Sequence, residues 1–551
     1  MLQLLKKLRS PGLSSRISCV NVDGSALSYS GLLKSSYALA SMLRKRNIKE
    51  PTIACFHKAS SGYVVTMLAT WMVGKRFLPL CTTHPEAELR YFVEDSKAGA
   101  IVYSSDESCS KHSYNALPNL GVPLLDLSSE STASERSDAF PDPDMNSDAL
   151  ILYTSGTTGR PKGVVHTHNG VTCMISGLVD RWEYSPDDRI LHFLPLHHLH
   201  GVLNKLMCVL YAGGCVEFLP SAHPREIWTR LAKLDLPKVN LFMAVPTVYA
   251  RMIEYAKDAL MSISDQQEEL KKSIMHRALN SVRVNMRLMA CGSAALPDTV
   301  MKTWRELTGH VLLERYGMTE GGMLLSNDYL PVSNRTPGHV GKPLPYVTVR
   351  LVGENENEIP GSNSSPPTNS TVIAGGEDEE EEGEATGELR VKGPTVFKEY
   401  LNRPDVYRES FDKDGWFKTG DIAVRRKNGM YAILGRSSTD IIKSKGYKLS
   451  ALEIERELLA FENVIKEVAV VGRPHLDDGE YVAAVVVVQA PYMHQSHEAL
   501  VAQIKSFLKS RLANYKSPKR YFFAKQPLPR NALGKVGKKT LFKDMNINDS
   551  E

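Results

Sequence analysis

From about Val20 to residue 350, short apolar runs alternate with stretches of helical periodicity. Asp148 to Thr154, Arg189 to Leu194, Val239 to Val245, Met286 to Cys291 and Val311 to Arg315 read as strands. Gly170 to Trp182, Thr247 to Lys257 and Pro297 to Leu307, with apolar residues at helical spacing, read as helices between them. This alternation predicts parallel sheets covered by helices, whose ligands collect beyond the carboxyl ends of the strands. Tyr63 to Val73 is the longest apolar run, stopped by Lys75 and Arg76. It falls short of the roughly 18 residues of a spanning helix. It reads as a buried helix, and no stable membrane insertion is expected.

The texture changes twice more. Gly353 to Glu384 is rich in Asn, Ser, Pro and Gly and then strongly acidic from Glu377 onward, the composition of a solvated, mobile insertion. After Arg436, Ser450 to Phe461 reads as a helix, Val468 to Val471 and Val482 to Val488 as strands, and Ala499 to Leu512 as a second helix. The expected organisation is α/β: a large N-terminal domain of helix-covered sheets over residues 20–435, and a small, mobile α+β domain over 436–551. Residues 1–19 lack acidic side chains, and Lys6, Lys7, Arg9 and Arg16 alternate with Leu and Ser. That is the pattern of a weak targeting segment, directing the chain to the mitochondrial matrix; a frayed terminus of a cytoplasmic protein is the alternative.

Candidate chemistry begins at the first loop that follows a strand. Tyr153 to His168, YTSGTTGRPKGVVHTH, packs hydroxyls, three glycines, Arg160 and Lys162 into one turn. Glycine lets backbone approach a ligand closely, and successive N–H groups, hydroxyls and a lysine wrap an anion well. The string suits a polyphosphate, yet it is not GxxxxGK[ST], because Arg-Pro follows Gly159.

Composition narrows the picture. The 551 residues allow roughly three or four units of ordinary domain size. A net charge of +5, from 67 basic and 62 acidic side chains, is too small over this length to argue for a nucleic-acid partner. The eight cysteines contain no CxxC pair and read as free thiols in a reducing compartment. Nothing in the composition points beyond a monomer or a weak oligomer.

Further motifs follow in order: LPLHHLHG at Leu194 to Gly201, GSAA at Gly292 to Ala295, ERYGMTE at Glu314 to Glu320, TGD at Thr419 to Asp421, Gly435-Arg436, and PRNALGKVGKK at Pro529 to Lys539. With the glycine loop, this set resembles acyl-adenylate-forming ligases of the acyl-CoA synthetase class over nearly the whole chain. The resemblance implies that a carboxylate is joined to AMP from ATP with Mg2+, and that coenzyme A then displaces AMP. It implies that Thr154, Ser155, Gly156, Thr157, Thr158, Gly159 and Lys162 hold the β- and γ-phosphates. Gly292, Ser293 and Ala294 form the adenine-side turn. Within Glu314, Arg315, Tyr316 and Gly317, Tyr316 lies against adenine; Thr319 meets the α-phosphate and Glu320 holds magnesium. Asp421 and Arg436 meet the ribose. Lys535 is the adenylation lysine, an ammonium aimed at an anionic transition state. Ser444, Lys445, Gly446 and Tyr447 line the coenzyme A channel opened when the small domain pivots just after Arg436; there the family's usual Asp or Lys gives way to Ser437-Ser438-Thr439-Asp440 with about one extra residue, which leaves the hinge residue open between these positions, Ser438 among them.

Within the class, LPLHHLHG together with NMRLM at Asn285 to Met289 and LERYGMTE resembles malonyl-CoA synthetases. That resemblance implies a dicarboxylate substrate, malonate, and weakly methylmalonate. Arg287 pairs with its distal carboxylate, Met286 lies beside it, and His198 and His200 stand at the acyl entrance. The alternatives are a short- or medium-chain fatty acyl-CoA synthetase and a catalytically silent nucleotide-binding protein.

Overall fold

The computed structural model describes residues 7–105, 111–129, 140–154, 160–261, 266–353, 355–360, 364, 384–444, 447–475, 479–530 and 535–547. The acidic stretch Glu377 to Gly383 lies outside the described residues.

The alternating pattern folds into two large sheets. In one, the strands Ile17–Val20, Cys215–Phe218, Arg189–His192, Leu241–Ala244, Leu288–Cys291 and Leu313–Met318 lie parallel in that spatial order. The other is built around Thr52–Phe56, Arg76–Pro79, Ala98–Tyr103 and Asp148–Thr154, with the antiparallel strands Lys162–Thr167 and Glu399–Tyr400 at one edge. Helices cover them, among them His168–Arg181, Pro246–Met261 and Asp298–Thr308. The run Tyr63 to Val73 is the helix Ser61–Met72, and every residue of it from Tyr63 to Met72 is buried. Parallel strands buried on both faces explain why these segments read as continuous apolar runs.

A four-stranded antiparallel sheet, Thr348–Val352, Ala385–Lys392, Phe417–Arg425 and Tyr431–Arg436, was not visible in the sequence pattern. Its strands are interrupted by the residues around the acidic insertion, so their pairing is long-range and carries no local signature. Beyond it the small unit packs a sheet on two helices, Ala451–Leu459 and His497–Leu508. Along Gly479–Val488, Val482, Ala484, Val486 and Val488 face one apolar cluster, while Tyr481, Ala483, Val485 and Val487 face another. Side chains alternate along a strand, so burial of both faces turns the alternation into an unbroken valine-rich run.

The described part of the N-terminal segment packs against the large domain. Leu8 is buried, Lys7 Nζ sits 3.9 Å over the Tyr211 ring, and Ile17–Val20 pairs with Cys215–Phe218. The described part of this segment, from Lys7 onward, is tied into the main core.

Candidate functional site

The parallel strands of the large sheet end on one edge, and the loops leaving that edge meet there. Leu288–Cys291 leads into Gly292-Ser293-Ala294, and Leu313–Met318 carries Glu314, Arg315, Tyr316 and Gly317 and runs into Thr319 and Glu320. Ser293 adopts φ 72°, left-handed backbone that a non-glycine residue seldom holds. Gly292 is required by close approach: a Cβ there would lie 2.7 Å from the Arg315 guanidinium.

Asp421 and Arg436 face each other across neighbouring strands. Arg436 Nε donates to Asp421 Oδ1 at 3.0 Å, and the Tyr316 hydroxyl donates to Oδ2 at 2.5 Å. A carboxylate offers about four lone-pair positions, so this aspartate retains acceptor capacity for further hydroxyls. Glu320 Oε1 accepts from the Tyr400 hydroxyl at 2.8 Å, and Lys162 Nζ lies 4.3 Å over the same tyrosine ring. Tyr400 reaches this place through the two-residue strand Glu399–Tyr400, which pairs with Val164 and Val165 more than two hundred residues earlier in the chain. Sequence reasoning missed it and had no signal to find it. His166, whose Nε2 lies 2.7 Å from the Thr319 carbonyl, was missed for the same reason. Thr154 ends its strand opposite Lys162; Ser155, Gly156, Thr157, Thr158 and Gly159 lie outside the described residues.

Lys535 faces this cleft. The residue is exposed at its surface, yet desolvation of its ammonium by the surrounding chain holds it below the ordinary lysine range, and Asp421, Arg436, Arg315 and Asp440 all act on it. The segment that carries it is pinned by Lys538, whose Nζ donates to Asp440 Oδ1 at 2.6 Å and lies 2.7 Å from Glu455 Oε1. Asp440 in turn accepts from the Arg436 amide at 3.0 Å. Residues 437–440 join Tyr431–Arg436 to Ile441–Ser444, and include Ser438. Ser444 is buried and Tyr447 is exposed, stacked on Tyr515 with ring centroids 4.5 Å apart; Lys445 and Gly446 lie outside the described residues.

The histidine-rich loop closes the edge. His198 is pushed down to about 3 by burial, then by His197, His84 and Lys535, so it is neutral at neutral pH. His200 opens an eight-residue π-helix, His200–Met207, a geometry that often marks functional sites. Its Nδ1 lies 3.4 Å from the Ser293 hydroxyl, and its Nε2 is buried without a hydrogen-bond partner among the described residues.

Two substrate assignments need correction. Arg287 precedes its strand, on the amino edge. Its Nε and one terminal nitrogen donate to the two Asp188 oxygens at 2.7 and 2.6 Å, and the other donates to the Trp182 carbonyl at 2.9 Å. Five residues of extended chain, about 16 Å, separate its Cα from Gly292 at the carboxyl edge. Its donors are committed, so it is a structural ion pair. Met286 is 6% exposed and belongs to an apolar cluster with Trp228 and Ile227. Arg287→Leu is expected to leave Asp188, which is fully buried, without its counter-charge. Ser185 and Asn240 still donate to it, so the cost sits at the lower end of the usual range, about 3 kcal/mol. Thermal unfolding should show it as a lowered midpoint, with substrate KM values little changed.

Glu314 is also not a cleft residue. Its carboxylate accepts from the Gly338 amide at 2.8 Å, and burial pushes it up to about 8. A folded value above the unfolded one, here 4.5, means stability is complete below 4.5 and declines as pH rises to about 8. Glu314→Gln is expected to flatten the dependence of the thermal midpoint on pH across that window; an unchanged slope would refute the assignment.

What remains at the carboxyl edge is Arg315. It is 3% exposed, its Nε has no hydrogen-bond partner among the described residues, and one of its terminal nitrogens lies 3.5 Å from the Ser293 hydroxyl. Burial holds it down to about 10, and the groups that act on it are Cys291, Tyr184 and Tyr249, not a carboxylate.

Comparisons with known proteins agree with this architecture. Residues 12–401 match the model of the AMP-binding enzyme family, and residues 453–535 that of the AMP-binding enzyme C-terminal domain. The mitochondrial malonate–CoA ligase ACSF3 of Xenopus laevis is 39% identical, covering 97% of this chain and 90% of the relative. The crystal structure of ATP-bound MatB from Rhodopseudomonas palustris is similar at a TM-score of 0.79 and 30% identity, covering 98% of both chains. A malonyl-CoA ligase ternary product complex with methylmalonyl-CoA and AMP is similar at a TM-score of 0.64 and 29% identity, covering 96% of this chain and all of that one.

Proposed function

The chain belongs to the AMP-binding enzyme family, and we propose that it is an AMP-forming malonate–CoA ligase, taking malonate, ATP and coenzyme A to malonyl-CoA, AMP and diphosphate. The observation that carries the choice of acid is Arg315. An isolated buried charge is costly, and a guanidinium matches a carboxylate with two parallel donors. A dicarboxylate supplies the missing anion with its distal group and presents the other for reaction. Arg315 takes the role that the sequence pattern suggested for Arg287. The names of the relatives support the same substrate.

The remaining residues distribute around it. The loop from Thr154 to Lys162 holds the terminal phosphates, and Asp421 receives the ribose hydroxyls with Arg436 beside it. Tyr316 packs against the base. Glu320 offers hard oxygen ligands, one already oriented by Tyr400, which fits magnesium; the ion, when bound, offsets phosphate charge. Neutral His198 donates to the reacting carboxylate at the entrance without trapping it as an ion pair, and His200 supports Ser293. Lys535 stabilises the charge developing at the α-phosphate. The closer similarity to an ATP-bound structure than to a product complex of nearly equal identity accords with Lys535 facing the cleft. After the small domain turns about residues 437–440, Ser444 and Tyr447 line the path of coenzyme A. We place the enzyme in mitochondria on the strength of relatives so named.

A panel of mono- and dicarboxylates assayed by diphosphate release tests the reading. Malonate is expected to be at least about tenfold better than butyrate or octanoate, and methylmalonate to be a weaker substrate, because one methyl is discriminated only roughly 10- to 200-fold. A preference for octanoate would support the fatty acyl alternative, and no carboxylate-dependent release would support a silent nucleotide-binding protein.

A further inference from the structure

A second constellation sits beside the acyl entrance and takes no part in the chemistry above. Cys81 follows the strand Arg76–Pro79 by two residues, and His84 precedes the helix Glu86–Asp95 in the same loop. His197 comes from the other large sheet, in the loop after Arg189–His192. One ligand atom from each of these three residues lies within 4.8 Å of the others. His84 Nδ1 and His197 Nε2 are buried and make no well-formed hydrogen bond among the described residues. The polar neighbours are few: Thr83 Oγ1 at 3.2 Å from the Cys81 sulfur, and a Glu88 carboxylate oxygen at 3.5 Å from His84 Nδ1.

We propose that Cys81, His84 and His197 form a binding site for a thiophilic divalent cation of the zinc class. One thiolate and two imidazoles are the borderline-soft donors that zinc selects. Zinc–ligand distances of about 2.0 to 2.3 Å put tetrahedral ligand atoms roughly 3.3 to 3.6 Å apart, so the trio closes on a cation through small side-chain rotations. Three protein ligands leave a fourth position open, which makes the site exchangeable and unlike a closed structural zinc site. The His197 and His198 rings lie 4.1 Å apart, so a cation held here clips together the two sheets whose loops bound the acyl entrance.

The experiment uses the full chain, reduced and stripped with a chelator, then titrated with zinc against a chromophoric competitor and, separately, with Co2+. One equivalent of zinc is expected, with thiolate-to-cobalt charge-transfer absorption in the Co2+ form. Both are expected to be lost in Cys81→Ser, and the affinity to fall at least tenfold in His84→Asn, about 1.4 kcal/mol per decade. In the unsubstituted chain, zinc should protect Cys81 from alkylation, followed by mass spectrometry, and leave Cys173, which lies elsewhere and is partly exposed, unprotected. Binding that survives Cys81→Ser with the same stoichiometry, or alkylation of Cys81 unaffected by zinc, would overturn the site.

Discussion

Replacing Arg315 with leucine is expected to remove malonate activity while leaving the protein folded. The malonate distal carboxylate would then enter a buried pocket with no counter-charge. An uncompensated buried charge costs about 3–5 kcal/mol, so kcat/KM for malonate should fall roughly 10²- to 10⁴-fold. Folding should not suffer, because the wild-type guanidinium is itself buried without an acidic partner among the described residues, and an apolar residue of similar length removes that desolvation cost. The thermal midpoint of Arg315→Leu should equal or exceed that of the wild type. Arg287→Leu should give the opposite profile, a lower midpoint with malonate kinetics nearly intact, because Arg287 already has its carboxylate in Asp188. If Arg287→Leu abolished malonate activity and Arg315→Leu spared it, the substrate assignment would be reversed. Activity toward butyrate separates the pocket from the nucleotide site: Arg315→Leu should leave it unchanged or improved, whereas damage to nucleotide binding would lower turnover of every acid alike.

Lys535→Ala is expected to divide the two half-reactions. Loss of one charged group aimed at a developing anion costs about 3–4 kcal/mol, or about 10²–10³ in rate. Adenylate formation, read as malonate-dependent diphosphate release, should fall by that factor. Conversion of supplied malonyl-adenylate and coenzyme A to thioester should be retained, because in the proposed second pose Ser444 and Tyr447, not Lys535, face the cleft. Lys538 provides the control. It is paired with Asp440 and Glu455, so its removal should affect how the segment is anchored, and with it both half-reactions. Equal loss of both steps in Lys535→Ala would refute the assigned role.

The contrast between Arg287 and Arg315 shows where local reading succeeds and fails. Both arginines belong to neighbouring strand segments of one parallel sheet, and the rule that ligands collect at carboxyl ends already separates them: Arg287 precedes its strand and Arg315 lies within one that runs to that edge. The local pattern did not reveal that Asp188, 99 residues earlier, is the partner of Arg287. Tyr400 is a similar case, since its contact with Glu320 depends on a strand pairing between residues far apart. Glu314 sits inside a functional motif, yet its side chain turns away to the Gly338 amide. Alternation along a strand sends neighbouring side chains to opposite faces, so Glu314 and Arg315 meet different surroundings.

By itself the sequence determined the elements and their type, because apolar periodicity and strand-like runs are local properties. It also determined the order of the motifs, and so the reaction class. Only the tertiary structure decided which charges are already paired, which are left open, and which distant groups share a pocket. Those outcomes depend on the register and crossing of strands that lie far apart in the chain, and on burial, which sets the cost of leaving a charge alone. Arg315, Tyr400 and the trio of Cys81, His84 and His197 acquire their chemistry from that arrangement.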